Sequence, residues 1–187
     1  IPQSLHLTSE DSPVIGFDQV TRYSGSLPTP YYDTLQISLG PNNFMMVINC
    51  TNPSLRGDDA MEHFKQWIKD NTEWIEMASN EYGGILFRNF GVRTEFDFDD
   101  IVSVFDPNIT AEVYVGTAPR KRVNGTKYIS TASEIPAPIV VPEHQELSFT
   151  PNPPKRLYFF AQRPNLPQGG QTPVTDFRAV WRNIDAS

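Results

Sequence analysis

The sequence predicts an α+β fold weighted towards β-sheet. Three observations carry this expectation. A single long amphipathic stripe stands among many short apolar runs. Those runs are cut apart by 17 Pro and 11 Gly, which favour turns and irregular connections over long regular elements. Aromatic residues make up 12% of the chain, with 12 Phe, 7 Tyr and 3 Trp, side chains that fill the interior of a sheet-rich domain well.

Residues 1–40 are rich in Ser, Thr and Pro without sustained periodicity and read as an extended arm with short strands. The compact apolar run FMMVINC at 44–50 reads as a buried strand. Asp58 or Asp59 can cap the helix that follows. Its apolar positions Met61, Phe64, Trp67, Ile68, Trp74, Ile75, Ala78 and Tyr82 recur at steps of three, four and seven, with Lys65, Lys69, Asp70, Glu73 and Glu76 on the wet side. Gly83-Gly84 stops this helix, and Ile85-Leu86-Phe87 reads as a strand. A shorter helix is expected over 97–105, ahead of Pro107. Residues 111–142 hold strand-like pieces broken by Pro and Gly, and LYFFA at 157–161 reads as a strand. After a turn at Gly169-Gly170, Thr175 or Asp176 can cap a last helix carrying Phe177, Val180, Trp181 and Ile184. No repeat or linker interrupts the chain, so residues 1–187 are read as one domain with a core of its own.

The net charge of -7 argues against a nucleic-acid surface, which needs a basic face. No run approaches the roughly 20 apolar residues of a membrane span, so no membrane is expected as a partner. Cys50 is the one cysteine, which rules out an internal disulfide and favours a cytoplasmic setting. The local basic run Arg120-Lys121-Arg122, with Lys127 nearby, reads first as a solvated loop and second as a docking point for a phosphate or a carrier. A hydrolase has no support, because no G-x-S-x-G elbow occurs.

The chemistry concentrates in Pro142-Glu143-His144-Gln145-Glu146-Leu147. On a strand, residues i and i+2 face the same side, so His144 and Glu146 would project into one cavity. An imidazole and a carboxylate are two of the three ligands of a 2-His-1-carboxylate facial triad, which leaves positions open on non-haem Fe(II). An isolated H-x-E is a weak signal, and its context decides its weight.

In that context, four features follow in order: His144 and Glu146, Pro153-Pro154 opening an apolar run, Gly169-Gly170-Gln171-Thr172, and the helix after Asp176. With GGILFRNFGV at 83–92 and APRKRVNGTKYISTASEIP upstream of the histidine, they resemble the taurine dioxygenase/clavaminate synthase-like superfamily, in its syringomycin-hydroxylase-like branch. The resemblance covers about residues 80–185. It implies a double-stranded β-helix, or jelly roll, with flanking helices. It implies Fe(II), with 2-oxoglutarate as cosubstrate and O2, held by His144 and Glu146, with Thr172 contacting 2-oxoglutarate. Halogenating relatives lack the carboxylate, so Glu146 implies hydroxylation or desaturation of a small, amino-acid-like or carrier-tethered substrate. Tyr128 and Thr131 are the candidates for reaching that substrate.

The family also needs a distal His and a following Arg. The chain has only His6, His63 and His144, and His63 reads as a surface residue of the long helix. The expectation is therefore that these residues are the N-terminal part of a longer domain, with a C-terminal region or a second chain completing the site. The alternative is a non-catalytic pseudoenzyme of the same fold acting as a binding or scaffold protein. A cupin-like or lectin-like β-sandwich ranks last, since it leaves the ordered motifs unexplained.

Overall fold

A computed structural model describes residues 7–8, 14–15, 21–25, 35–52, 59–110, 118–132, 134–136, 139, 141–163 and 172–184. The chain divides into two units, one from Ile1–Gly91 with Asn165–Ser187 and one from Val92–Pro164.

The first unit is built on a sheet. β1 (Leu7–Thr8) and β2 (Val14–Ile15) form a short antiparallel ribbon. β3 (Thr21–Arg22), β4 (Leu35–Leu39), β5 (Met46–Cys50) and β6 (Ile85–Arg88) form a four-stranded sheet in that order. The first three are antiparallel, and β6 lies parallel to β5. A parallel neighbour needs a long crossover, which two helices supply. Leu35, Ile37 and Leu39 are buried and face the equally buried Cys50, Ile48 and Met46 across the β4–β5 register. Strict alternation thus makes one face of the sheet the core.

The helical stripe expected over 61–82 is present but broken into α1 (Ala60–Asp70) and α2 (Thr72–Tyr82). The break is at Asn71, which is only 4% exposed and leaves helical geometry at φ -122°, ψ 20°. Its side-chain Nδ2 donates to the Trp67 carbonyl at 2.8 Å, and the Thr72 hydroxyl donates to Ile68 at 3.0 Å. Side chains that take up carbonyls of the preceding turn compete with the helical ladder and bend it. The apolar stripe survives the break: Phe64, Trp67, Ile68, Ile75 and Ala78 are all buried. Phe64 meets Phe90 at 4.3 Å and Phe87 at 5.4 Å between ring centroids, so α1 packs on β6 and the turn after it. α2 ends at Gly83, whose φ of +79° is the left-handed conformation a glycine adopts without cost.

The second unit contains α3 (Glu95–Phe105), which starts two residues earlier than expected because Thr94 caps it. The Thr94 hydroxyl accepts from Asp97 N–H at 3.1 Å, and the Asp97 carboxylate accepts from Thr94 N–H at 2.9 Å. Arg93 N–H donates to the same carboxylate oxygen at 2.9 Å. Partial burial pulls the Asp97 carboxyl upward, but these N–H donors, the Thr94 hydroxyl and the Arg93 charge outweigh it and hold the group below its ordinary value. A carboxyl with a lowered folded-state pKa contributes stability above its unfolded value of about 4 and loses it as pH falls through the folded value. Asp97→Asn should therefore flatten the acid limb of stability below about pH 4, read from urea midpoints across pH. Parallel acid limbs for variant and wild type would refute this.

α4 (Phe177–Ile184) returns to the first unit. The Asp176 carboxylate accepts from Arg178 N–H at 3.0 Å, so Asp176 supplies the expected cap. The Arg178 guanidinium, held by Asp176 at 2.8 Å, donates in turn to the carbonyls of Glu81 at 2.8 Å and Asn80 at 3.3 Å, closing the C-terminal end of α2. Val180, Trp181 and Ile184 are exposed on α4.

Helix outweighs strand among the described residues, so the expected weighting towards sheet is corrected to a mixed α/β arrangement. The reason is that the described parts of the strand-like runs of the second half pair little. Within 118–132 the ladder is reduced to one antiparallel bridge between Arg122 and Ser130. The LYFFA run at 157–161 is not a strand either. It keeps a period of two, with Tyr158 and Phe160 half-buried and Leu157 and Phe159 exposed. Phe160 stacks on Phe98 of α3 at 5.3 Å, and Tyr158 meets Phe105 at 5.8 Å. Aromatic packing on a helix takes the place of strand pairing. The Gly169-Gly170 turn lies outside the described residues. No described helix is long and apolar enough to cross a membrane.

Candidate metal centre

The second unit places a small polar cluster between a hairpin and an irregular segment. The hairpin runs from residue 120 to 131. Asp99, on α3, accepts the N–H groups of Lys127 at 2.8 Å and Tyr128 at 2.8 Å. Lys121 N–H donates to the Thr131 hydroxyl at 3.0 Å, and Thr131 N–H returns to the Lys121 carbonyl at 2.8 Å. Each residue of the basic run finds an intramolecular partner. Lys121 pairs with Glu134 at 2.8 Å, Arg122 donates to the Lys127 carbonyl at 2.6 Å, and Arg120 reaches Glu146 at 3.1 Å.

His144 and Glu146 were expected to share one side of a strand. The structure places them on an irregular segment that breaks into turns from Glu146 onward. Leu147 takes φ +52°, and Thr150 closes the turn through its N–H to the Leu147 carbonyl at 2.9 Å. A bulky residue in the left-handed region costs roughly 1–2 kcal/mol, and such strain gathers where a neighbouring side chain must be aimed. The convergence that strand geometry would produce is nonetheless present: His144 Nε2 lies 3.6 Å from Glu146 Oε2.

The imidazole is oriented. Its Nδ1 lies 2.9 Å from the Pro142 carbonyl, an acceptor only, so Nδ1 carries a proton and Nε2 is the nitrogen turned towards the carboxylate. A backbone carbonyl on the far ring nitrogen is the usual support of a metal-binding histidine. Metal bonds to imidazole nitrogen and carboxylate oxygen run at about 2.0–2.2 Å, so two of them at a right angle hold their donors roughly 3 Å apart. The pair is thus within a small side-chain adjustment of sharing one cation. The Glu146 side chain is 12% exposed and that of His144 57%, so the carboxylate is sheltered while the imidazole faces outward. Among the described residues no group of three His, Cys, Asp or Glu side chains gathers around a point.

Of the other candidate residues, Tyr128 is half-buried in the hairpin with its N–H on Asp99. Thr131 is half-buried, and its hydroxyl faces Lys121 N–H and, at 3.5 Å, Glu134. Thr172 is exposed and belongs to the first unit. His63 is exposed on α1, with Nδ1 at 2.8 Å from the Asp59 carbonyl, in keeping with a surface residue. Sequence reasoning gave Arg120 only as part of the basic run and did not single out Asp99. No spacing rule links them to residues 26 to 29 positions further on. Only the folded hairpin brings them in.

The sequence pattern of the taurine catabolism dioxygenase TauD, TfdA family matches residues 53–187. A clavaminate synthase-like protein of Arabidopsis thaliana is 32% identical over 123 residues, covering 65% of this chain and 36% of that protein. The dapdiamide synthesis protein DdaC of Enterobacter agglomerans is 29% identical over 111 residues, covering 59% of this chain and 32% of that protein. The matches thus span about a third of the length of these relatives.

Proposed function

The chain belongs to the taurine catabolism dioxygenase TauD, TfdA family, and from that membership we propose that it carries part of the active site of an Fe(II)- and 2-oxoglutarate-dependent oxygenase. The observation that supports this most is the aimed pair itself: His144 Nε2, its partner nitrogen tied to Pro142, stands 3.6 Å from Glu146 Oε2. When bound, iron and 2-oxoglutarate supply the activation of O2 coupled to cosubstrate decarboxylation, chemistry that side chains do not perform. Nε2 of His144 and Oε2 of Glu146 would hold the metal, leaving an open face for the other partners.

The Thr172 hydroxyl can donate to a cosubstrate carboxylate without adding charge. Tyr128 and Thr131 sit on the hairpin beside the pair's segment and are the proposed contacts to a small substrate, amino-acid-like or carrier-tethered. With Glu146 in place the reaction is hydroxylation or desaturation. The third ligand and the arginine for 2-oxoglutarate would come from polypeptide beyond these residues, a C-terminal region or a second chain, which would also complete a jelly roll.

The test is an anaerobic Fe(II) titration of the full-length protein, with and without 2-oxoglutarate, followed by the visible metal-to-ligand charge-transfer band. A saturable band that His144→Ala removes is the expected result. Folded full-length protein without a band would overturn the reading and leave a non-catalytic member of the family.

A further inference from the structure

We infer that Arg120 is a positioning residue that keeps Glu146 a one-oxygen ligand. The inference rests on the metal-site reading above. The Glu146 carboxylate is divided between two neighbours: Arg120 Nη2 holds Oε1 at 3.1 Å, while Oε2 faces His144 Nε2 at 3.6 Å. Both partners of the ion pair are sheltered, with side chains 24% and 12% exposed, so solvent screens their attraction less than at an open surface. The backbone around Arg120 is fixed on both sides. The Pro119 carbonyl accepts from Glu134 N–H at 3.0 Å, and Lys121 exchanges hydrogen bonds with Thr131 at 3.0 and 2.8 Å. The guanidinium therefore reaches Glu146 from a rigid base.

The consequence is a matter of coordination positions. A carboxylate can bind a cation through one oxygen or two. A two-oxygen grip would fill one more position on the metal than a facial triad fills. That extra position would come out of those left for a chelating cosubstrate and O2. With Oε1 drawn to Arg120, Oε2 is the oxygen turned to the metal.

The test uses the full-length protein and Co(II) as the probe metal, reading affinity and the ligand-field absorption band. Arg120→Met is expected to change Co(II) affinity by about 10-fold or more, the usual scale for losing an outer partner of a ligand, and to change the band as Glu146 gains a second bonding oxygen. Circular dichroism reports whether the variant folds. Should it not, Arg120→Lys decides: it keeps the charge but loses the planar fork, and a changed band supports the assignment. Wild-type affinity and an unchanged band in the folded variant, with binding abolished in His144→Ala, would overturn the role of Arg120 and leave the metal site standing. No Co(II) binding by the wild type would overturn both.

Discussion

On the proposed function, Glu146→Ala is expected to lower turnover by the full-length protein by more than about a hundredfold, beyond the upper end of what losing a supporting partner of a ligand costs. Two effects act in the same direction. The substitution removes the one anionic donor of the pair and leaves the imidazole of His144 without the carboxylate it faces at 3.6 Å. It also leaves Arg120, a half-buried cation, beside the place where the metal would sit, where like charges repel. Assays at saturating Fe(II) and 2-oxoglutarate separate lost affinity from lost turnover. Full activity in the variant would remove Glu146 from the metal site.

The largest effect on stability is expected at Trp67. Its side chain is 1% exposed and meets Phe64, Phe87, Phe90 and Trp74 with ring centroids 6.1–6.4 Å away. Trp67→Ala should cost about 3–5 kcal/mol, since the cluster spans two helices and a strand and collapses poorly around the cavity. Trp67→Phe should cost much less than its lost volume suggests. The indole Nε1 is buried with no hydrogen-bond partner among the described residues, and phenylalanine removes that unsatisfied donor. Denaturant midpoints at a common slope give both values. Equal losses for the two variants would show that an aromatic ring at this position contributes nothing over a methyl group.

What was legible in the sequence followed local rules. The stripe from Met61 to Tyr82, the stop at Gly83, the strand at Met46–Cys50 and the cap at Asp176 each depend on residues within a turn or two of one another. His144 and Glu146, two positions apart, likewise come to 3.6 Å of each other even off a strand. The misreadings arose where a local signal had more than one outlet. Asn71 and Thr72 fit a helical pattern by position while their side chains take up the ladder's carbonyls. LYFFA has strand alternation, but Phe98 and Phe105 of α3 provide the surface its aromatics choose. Arg120 was read as one charge of a solvated run, because its partner stands 26 residues away.

The closure of α2 by Arg178 also has a bearing on the order of events at the ribosome. The carbonyls of Asn80 and Glu81 emerge early, but the guanidinium that accommodates them lies 97 residues later than Glu81. At translation rates of roughly 5–20 residues per second, that interval is about 5–20 s. Throughout it the carbonyls of Asn80 and Glu81 lack this donor, while the whole of residues 92–164 is synthesised. The first unit reaches its final form only after the second has had its chance to fold, so a pause or premature stop in that stretch releases a first unit lacking its closing clasp.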